Sequence, residues 1–333
     1  MQQEAVQLHP GYTAVTKKPL HLQPGDAWLF ENAFHTVVAP VTLLRLSNAH
    51  VLKQVIFTLK PLRFYTAFTN IFPVPAITLL KRLFRLGYKT QKLPAGSWIT
   101  DEWSAEYYHW FADALPRLLA VAEVCGKEVP VVLPDYYAGR SYIPASLHRL
   151  GFQAYYYNPG QRLLVRKLLL TSRTARVGDT NRDYINKLRD QCKVTAGKPE
   201  RKIYISRQKA RVRKVTNEAA VWALVQRHGY EVHFMEDYTL EQQITLLAGT
   251  RTIVGLHGAG LTNMLFMPAG GQVLELRNKG DNRLNCFFSL ASNLDHRYYY
   301  LTADGNKANS YDVEVTVDLP ALEAMIVTME KEA

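Results

Sequence analysis

The run Gly255-Leu256-His257-Gly258-Ala259-Gly260-Leu261-Thr262-Asn263 follows an apolar segment that reads as a strand and precedes Met264-Leu265-Phe266, which reads as the opening of a helix. Glycines here let backbone N–H groups approach an anion, and a helix N-terminus adds partial positive charge. In open α/β sheets, ligands sit at the carboxyl ends of the strands, which is where this loop falls. The glycine order is not GxGxxG, and no aspartate stands at the distance ribose recognition uses, so a nicotinamide site is disfavoured. Taken alone, a tight turn with no ligand explains the run equally well.

Upstream, Lys198 to Lys214 reads KPERKIYISRQKARVRK, eight basic residues against one acid. Arg207 comes directly off the carboxyl end of a predicted strand, so it should point into the same crevice as His257. Guanidinium groups suit bidentate phosphate binding, and a phosphate clamp of one or two of these arginines is expected. Lys209, Arg211 and Lys214 read as a solvated loop.

A third constellation is Glu106-Tyr107-Tyr108-His109-Trp110-Phe111-Ala112-Asp113-Ala114-Leu115-Pro116-Arg117. His109 and Asp113 are four apart and share a helix face, with Arg117 one turn further. Titratable groups among aromatics are costly to bury unless paired or functional. Asp113 is expected to act as a general base, with His109 beside it; a purely structural His–Asp pair is the competing reading.

Several chemistries lack their motifs. No GxxxxGK[ST], HExxH or GxSxG occurs, and no D-x-D of the kind that holds a metal–nucleotide-sugar complex. No metal ligands are therefore expected. A diphosphate leaving group would need arginine, imidazole and backbone amides instead.

The elements that must position these residues alternate. Lys202–Ser206, Tyr230–Phe234, Thr252–Leu256, Gln272–Arg277 and His296–Leu301 read as strands. Between them lie helices: one capped by Thr216, one opened by the Thr239/Gln242 capping box, and Leu284–Leu294. This alternation predicts a parallel, doubly wound sheet. The first half is also mixed, with strands at 37–46, 51–59, 130–133, 153–157 and 163–172 and a helix near 143–150. A long helix at 104–124 carries Pro116 inside it, which should interrupt it. Apolar density falls between Thr174 and Lys198. The expected domains are thus 1–190, mixed α/β, and 191–333, Rossmann-like.

The 333 residues are 47% hydrophobic and 21% charged, enough for two packed cores. No apolar run approaches the ~18 residues of a membrane span, and the first residues lack the blocks of a signal peptide. Cys125, Cys192 and Cys286 are too few and too scattered for a zinc site or a disulfide framework, and suggest a reducing, cytoplasmic setting. The formal charge of +11 calls for an anionic partner. Aromatics are not interleaved with the basic run, so nucleic acid is not expected. Ala76 to Leu86, AITLLKRLFRL, combines Ile77, Leu80, Leu83 and Phe84 with Lys81, Arg82 and Arg85. Such a helix can lie on an anionic membrane; packing of its stripe on its own domain is the plainer expectation.

The set HWFADALPRL, IYISRQKARVRKVTNE, GYEV and VGLHGAGLTNMLFMPAG with VLELR resembles glycosyltransferase family 61. The likeness is specific from Lys202 to Leu301, weaker from Tyr107 to Leu119 and absent over roughly the first hundred residues. That family groups eukaryotic protein O-linked N-acetylglucosaminyltransferases and plant pentosyltransferases with bacterial polysaccharide enzymes. The resemblance implies a GT-B-like α/β fold of two Rossmann-like domains facing a central cleft, inversion at the anomeric carbon and no metal. It implies a nucleotide-sugar co-substrate, normally a UDP-sugar, and no other cofactor. Donor binding would fall to Arg207, Arg213, His257, Gly258, Ala259, Gly260, Leu261 and Asn263, with Glu275 on the ribose. Catalysis would fall to Asp113 and His109. A bacterial capsule or lipopolysaccharide member is expected, working on a glycan or lipid-linked glycan in the cytoplasm or at the inner face of the membrane. Glu106 departs from the asparagine common in the family. Rival readings are a pyruvyltransferase or similar enzyme on the same scaffold, and a non-catalytic module that binds polyanions.

Overall fold

A computed structural model of the chain describes residues 4–84 and 87–332. The chain divides into two compact units: residues 1–12 with 38–177, and residues 13–37 with 178–333.

In the second unit, Glu231–His233, Arg201–Ile205, Thr250–Leu256, Gln272–Asn278 and Arg297–Gly305 lie side by side in that spatial order, all parallel. Numbered along the chain this is the doubly wound order 2-1-3-4-5. Thr250–Leu256 and Gln272–Asn278 are almost wholly buried, as strands covered on both faces must be. Glu314–Thr316 adds an antiparallel edge and Lys214–Val215 pairs with it. Helix Leu240–Ala248 opens on the expected Thr239/Gln242 capping box. Helix Glu218–Arg227 is preceded by Asn217 at its cap position, not Thr216, whose hydroxyl bonds Val315 and Thr316 instead.

The boundary lies before helix Arg182–Cys192, not at 190/191. Tyr184, Ile185 and Leu188 are buried on that helix, and Asn186 donates to the Asn293 carbonyl at 2.8 Å, which ties it to the second unit. Residues 13–37 join that unit because Phe30 wedges edge-on against Phe288 and Tyr300, with ring centroids 5.0 and 4.9 Å away.

The first unit departs from a Rossmann-like sheet. Arg162–Thr171, Thr90–Trp98, Val131–Pro134 and Ala154–Tyr157 form a parallel quartet. Its edge strand Arg162–Thr171 continues antiparallel into Val41–Leu52, Val55–Leu59 and Leu62–Phe64, with Glu4–His9 also on Val41–Leu52. Two positive-φ residues, Lys53 (45°) and Gln54 (65°), turn the first hairpin. That geometry matches a type I′ turn, built here without the usual Asn-Gly signal.

The helix over Pro116 runs in three pieces: α-helical Tyr107–His109, π-helical Trp110–Ala114 and α-helical Leu115–Cys125. Proline has no N–H to donate and its ring crowds the carbonyl four residues back, so the wider π-turn takes up the mismatch.

Candidate functional site

Strands Arg201–Ile205 and Thr250–Leu256 are the pair at which the chain reverses its winding, the position where open α/β sheets leave a crevice. Ser206-Arg207 leaves one strand and His257-Gly258 the other. The 3₁₀ helix Ala259–Phe266 begins inside the glycine run, so Met264-Leu265-Phe266 closes the helix and does not open it. A side chain at Gly258 would collide with the Arg207 guanidinium, and a Cβ at Gly260 would come 2.8 Å from Ile205 Cγ2. Close approach, not turn geometry, is what requires these glycines.

Glu218 pins the end of the first strand. Its Oε1 accepts from Tyr204 Oη (3.1 Å), Ser206 Oγ (2.9 Å) and the Arg207 amide (3.2 Å). The Arg207 fork is turned on its own loop: Nε donates to the Arg213 carbonyl and Nη2 to the Val212 carbonyl, both at 2.9 Å. Burial, helped by the nearby Arg213 charge, pushes its pKa down to about 10. Arg207 therefore shapes the basic loop. Arg213, at φ +61°, sends its side chain into a small cavity of about 10 Å³ lined also by His257, Arg277 and Asp281. Its Nε is buried with no hydrogen-bond partner there, and burial lowers its pKa.

Beneath this cavity lies a buried charge network. His257 Nδ1 donates to Glu275, and Tyr298 Oη donates to the other carboxylate oxygen. Arg277 sits beside them with Nη1 on Asn285 Oδ1 and Nη2 on the Asp281 carbonyl, each at 2.9 Å, and its guanidinium 4.6 Å from the centre of the Phe30 ring. Burial pushes the Glu275 carboxyl up, but the His257 and Arg277 charges and the two hydrogen bonds outweigh it and hold the group below its ordinary range. Glu275 is fully buried with both oxygens engaged. It orients His257 and has no surface on which to meet a ribose, which corrects the expected role.

The loop itself divides. Leu261 is buried and its amide donates to the Gly258 carbonyl at 2.9 Å, so it is not available to a ligand. Asn263 is buried and donates to the Gly260 carbonyl at 3.1 Å, which braces the turn. Ala259 and Gly260 supply the first-turn amides, which have no partner within their helix.

In the first unit, His109 Nδ1 and Asp113 Oδ2 are 2.7 Å apart, on the α-to-π junction of the interrupted helix. Asp113 is buried, and desolvation raises its pKa against the opposing hydrogen bond and charge of His109. Arg117 does not join the pair. It is fully buried and its Nη2 donates to the carbonyls of Phe68 (2.8 Å) and Thr171. Glu106 is exposed, near Arg140 at 3.6 Å, and stands apart from the pair.

Two residues of this cluster were not foreseen. Asp101 Oδ2 accepts from Nε (3.2 Å) and Nη2 (2.9 Å) of Arg173, while Oδ1 accepts from Ser104 Oγ and the Trp103 amide. They follow the carboxyl ends of the parallel neighbours Thr90–Trp98 and Arg162–Thr171. The sequence carried no local signal for them, because the strand before Asp101, with Gln91, Lys92 and Ser97, is not an apolar run. Among the described residues, no three His, Cys, Asp or Glu side chains gather as a metal site.

The profile of the family described as Glycosyltransferase 61 matches residues 107–274, half of the 333-residue chain. The chain belongs to glycosyltransferase family 61. Within this family 61 chain, the match takes in His109, Asp113, Arg207, Arg213 and the glycine loop, while Glu275 and Arg277 lie just beyond it and Tyr298 further on. A curated relative, the EGF domain-specific O-linked N-acetylglucosamine transferase of Drosophila melanogaster, is 34% identical over 106 residues, 30% of this chain and 20% of that protein. The protein of the same name from Bos taurus is 38% identical over 85 residues, 24% of this chain and 16% of that one. The chain thus matches a fifth or less of the length of these relatives.

Proposed function

We propose that this family 61 chain is an inverting, metal-independent glycosyltransferase of GT-B type that uses a nucleotide-diphosphate sugar. The second unit would hold the donor and the first the acceptor hydroxyl. The observation that supports this most is the strand-order reversal, which brings Arg207, the Gly258–Gly260 turn and the Glu275-held His257 to one crevice. There, Arg213 and the amides of Ala259 and Gly260 would bind the diphosphate, with Arg207 keeping the loop in shape.

In the proposed reaction the acceptor oxygen attacks the anomeric carbon and its proton passes to Asp113. The bond between sugar and diphosphate breaks, and its electron pair leaves with the diphosphate. His257 in its charged form donates Nε2–H to that leaving group while Nδ1–H stays on Glu275. His109 keeps Asp113 oriented. UDP is the expected nucleotide, and the sugar in the relatives' name makes N-acetylglucosamine the first to test. The acceptor would be a glycan, free or lipid-linked, in surface polysaccharide synthesis, reached from the cytoplasm.

Two outcomes are expected. In calorimetry with UDP, Arg213→Ala should weaken binding by ~1.5–3 kcal/mol, the scale of a hydrogen bond to a charged group. Arg211→Ala, at an exposed position, should matter far less; equal effects would show that the clamp is misassigned. Release of UDP from the donor should continue undiminished in excess EDTA. Loss of turnover restored by Mn²⁺ would contradict the metal-free reading.

A further inference from the structure

The helix Ala76–Leu83 buries none of its residues. Thr78, Leu79, Arg82 and Leu83 are half-covered and occupy one side. The opposite side carries Ile77, Leu80 and Phe84 at the i, i+3, i+7 spacing of a single stripe, 59%, 50% and 88% exposed, with Lys81 exposed at its margin. The stripe faces outward, against the expectation that it packs on its own domain; Arg85 and Leu86 of the expected helix lie outside the described residues. Seven of the fourteen exposed large apolar side chains among the described residues fall between 59 and 88, so this concentration is not the ordinary scatter of surface apolar groups.

Charge is equally uneven. Residues 32–100 contain nine Lys or Arg and no Asp or Glu, so a fifth of the chain carries nine of the formal +11. Lys53, Lys60, Lys81, Lys89 and Lys92 are exposed.

We propose that this helix seats the protein on a membrane surface that bears anionic lipid headgroups. Ile77, Leu80 and Phe84 would enter the boundary between headgroups and acyl chains, and Lys81 at the margin of the stripe would remain at the phosphates. No helix among the described residues is long and apolar enough to cross a membrane, so the element lies on the surface. A second copy is a poorer occupant, because it would press the same acid-free segment against itself. A nucleic acid would neutralise the lysines but leave the apolar stripe in water.

The test is co-sedimentation of the whole chain at low salt with phosphatidylcholine vesicles, with and without about 30% phosphatidylglycerol. The anionic vesicles should bind at least ~10-fold more tightly than pure phosphatidylcholine, and added salt should release the protein. Phe84→Glu should lower binding at least ~10-fold with an unchanged thermal melt, since Phe84 touches solvent over most of its surface. Absence of binding to the anionic vesicles, equal binding of Phe84→Glu, or equal affinity for the zwitterionic vesicles overturns the proposal. So does a dimer in sedimentation velocity that Phe84→Glu converts to monomer, because a second copy would then be covering the stripe.

Discussion

Asp113→Asn is expected to transfer sugar at least ~100-fold more slowly than wild type while binding UDP as tightly, because loss of a general base costs 10²–10⁴-fold in turnover. Asn keeps the volume and an oxygen to accept from His109 Nδ1, 2.7 Å from Asp113 Oδ2 in the wild type, so the fold should survive. Stability at neutral pH should rise if it changes. Burial raises the Asp113 pKa, so the native state resists its ionisation; that penalty is absent below the ordinary carboxyl range and grows as pH rises through the raised value. Asn, neutral throughout, never incurs it. The same shift predicts that wild-type turnover falls on acidification at a pH above the ordinary Asp value of 3.8. Turnover within a few-fold of wild type in Asp113→Asn would make the pair structural and move the base elsewhere.

Glu275→Gln should be the most destabilising conservative change in the second unit. It removes the carboxylate that pairs with His257 and offsets the nearby buried Arg277 charge, and breaking a buried ionic pair costs ~3–5 kcal/mol. The wild-type stabilisation has a defined pH window. The native Glu275 pKa lies below its ordinary 4.5, so the contribution is complete above about that pH and disappears as pH falls through the lowered value. Denaturant melts should therefore show a large gap between wild type and Glu275→Gln at pH 7 that closes on strong acidification. A gap that stays constant, or a variant as stable as wild type at pH 7, would contradict the network. Because His257 loses its orientation, donor turnover should fall in the same variant even where it remains folded.

How much of this could be read from the chain follows from what each feature depends on. The five parallel strands of the second unit were legible because strands covered on both faces become runs such as Thr-Ile-Val-Gly-Leu, punctuated by the Thr239 cap and by Gly229 and Gly249; its short strands Lys214–Val215 and Glu314–Thr316 were not. The antiparallel half of the first sheet was not: its hairpin turns on Lys53-Gln54, whose side chains do not advertise a positive φ. The pairing of His109 with Asp113 followed from helical spacing alone, and one π-turn beside Pro116 does not break it. Side-chain direction was beyond reach. Arg207 folds back on the Val212 and Arg213 carbonyls of its own loop, while Arg117 reaches Phe68 and Thr171 and Glu275 turns inward to His257 through contacts distant in sequence. Asp101 and Arg173 meet only because their strands are parallel neighbours, a pairing that no local pattern encodes.

The proposed function requires the crevice at the strand reversal to bind a nucleoside diphosphate. The most direct measurement is the thermal stability of the whole chain against a panel of nucleoside diphosphates, with Arg213→Ala alongside. A ligand specific for the folded form adds about 2.7 kcal/mol at 100 times its dissociation constant. One diphosphate, expected to be UDP, should therefore raise the melting temperature in a saturable way, and Arg213→Ala should need a much higher concentration for the same shift. No stabilisation by any nucleoside diphosphate, or an equal shift in Arg213→Ala, would contradict it.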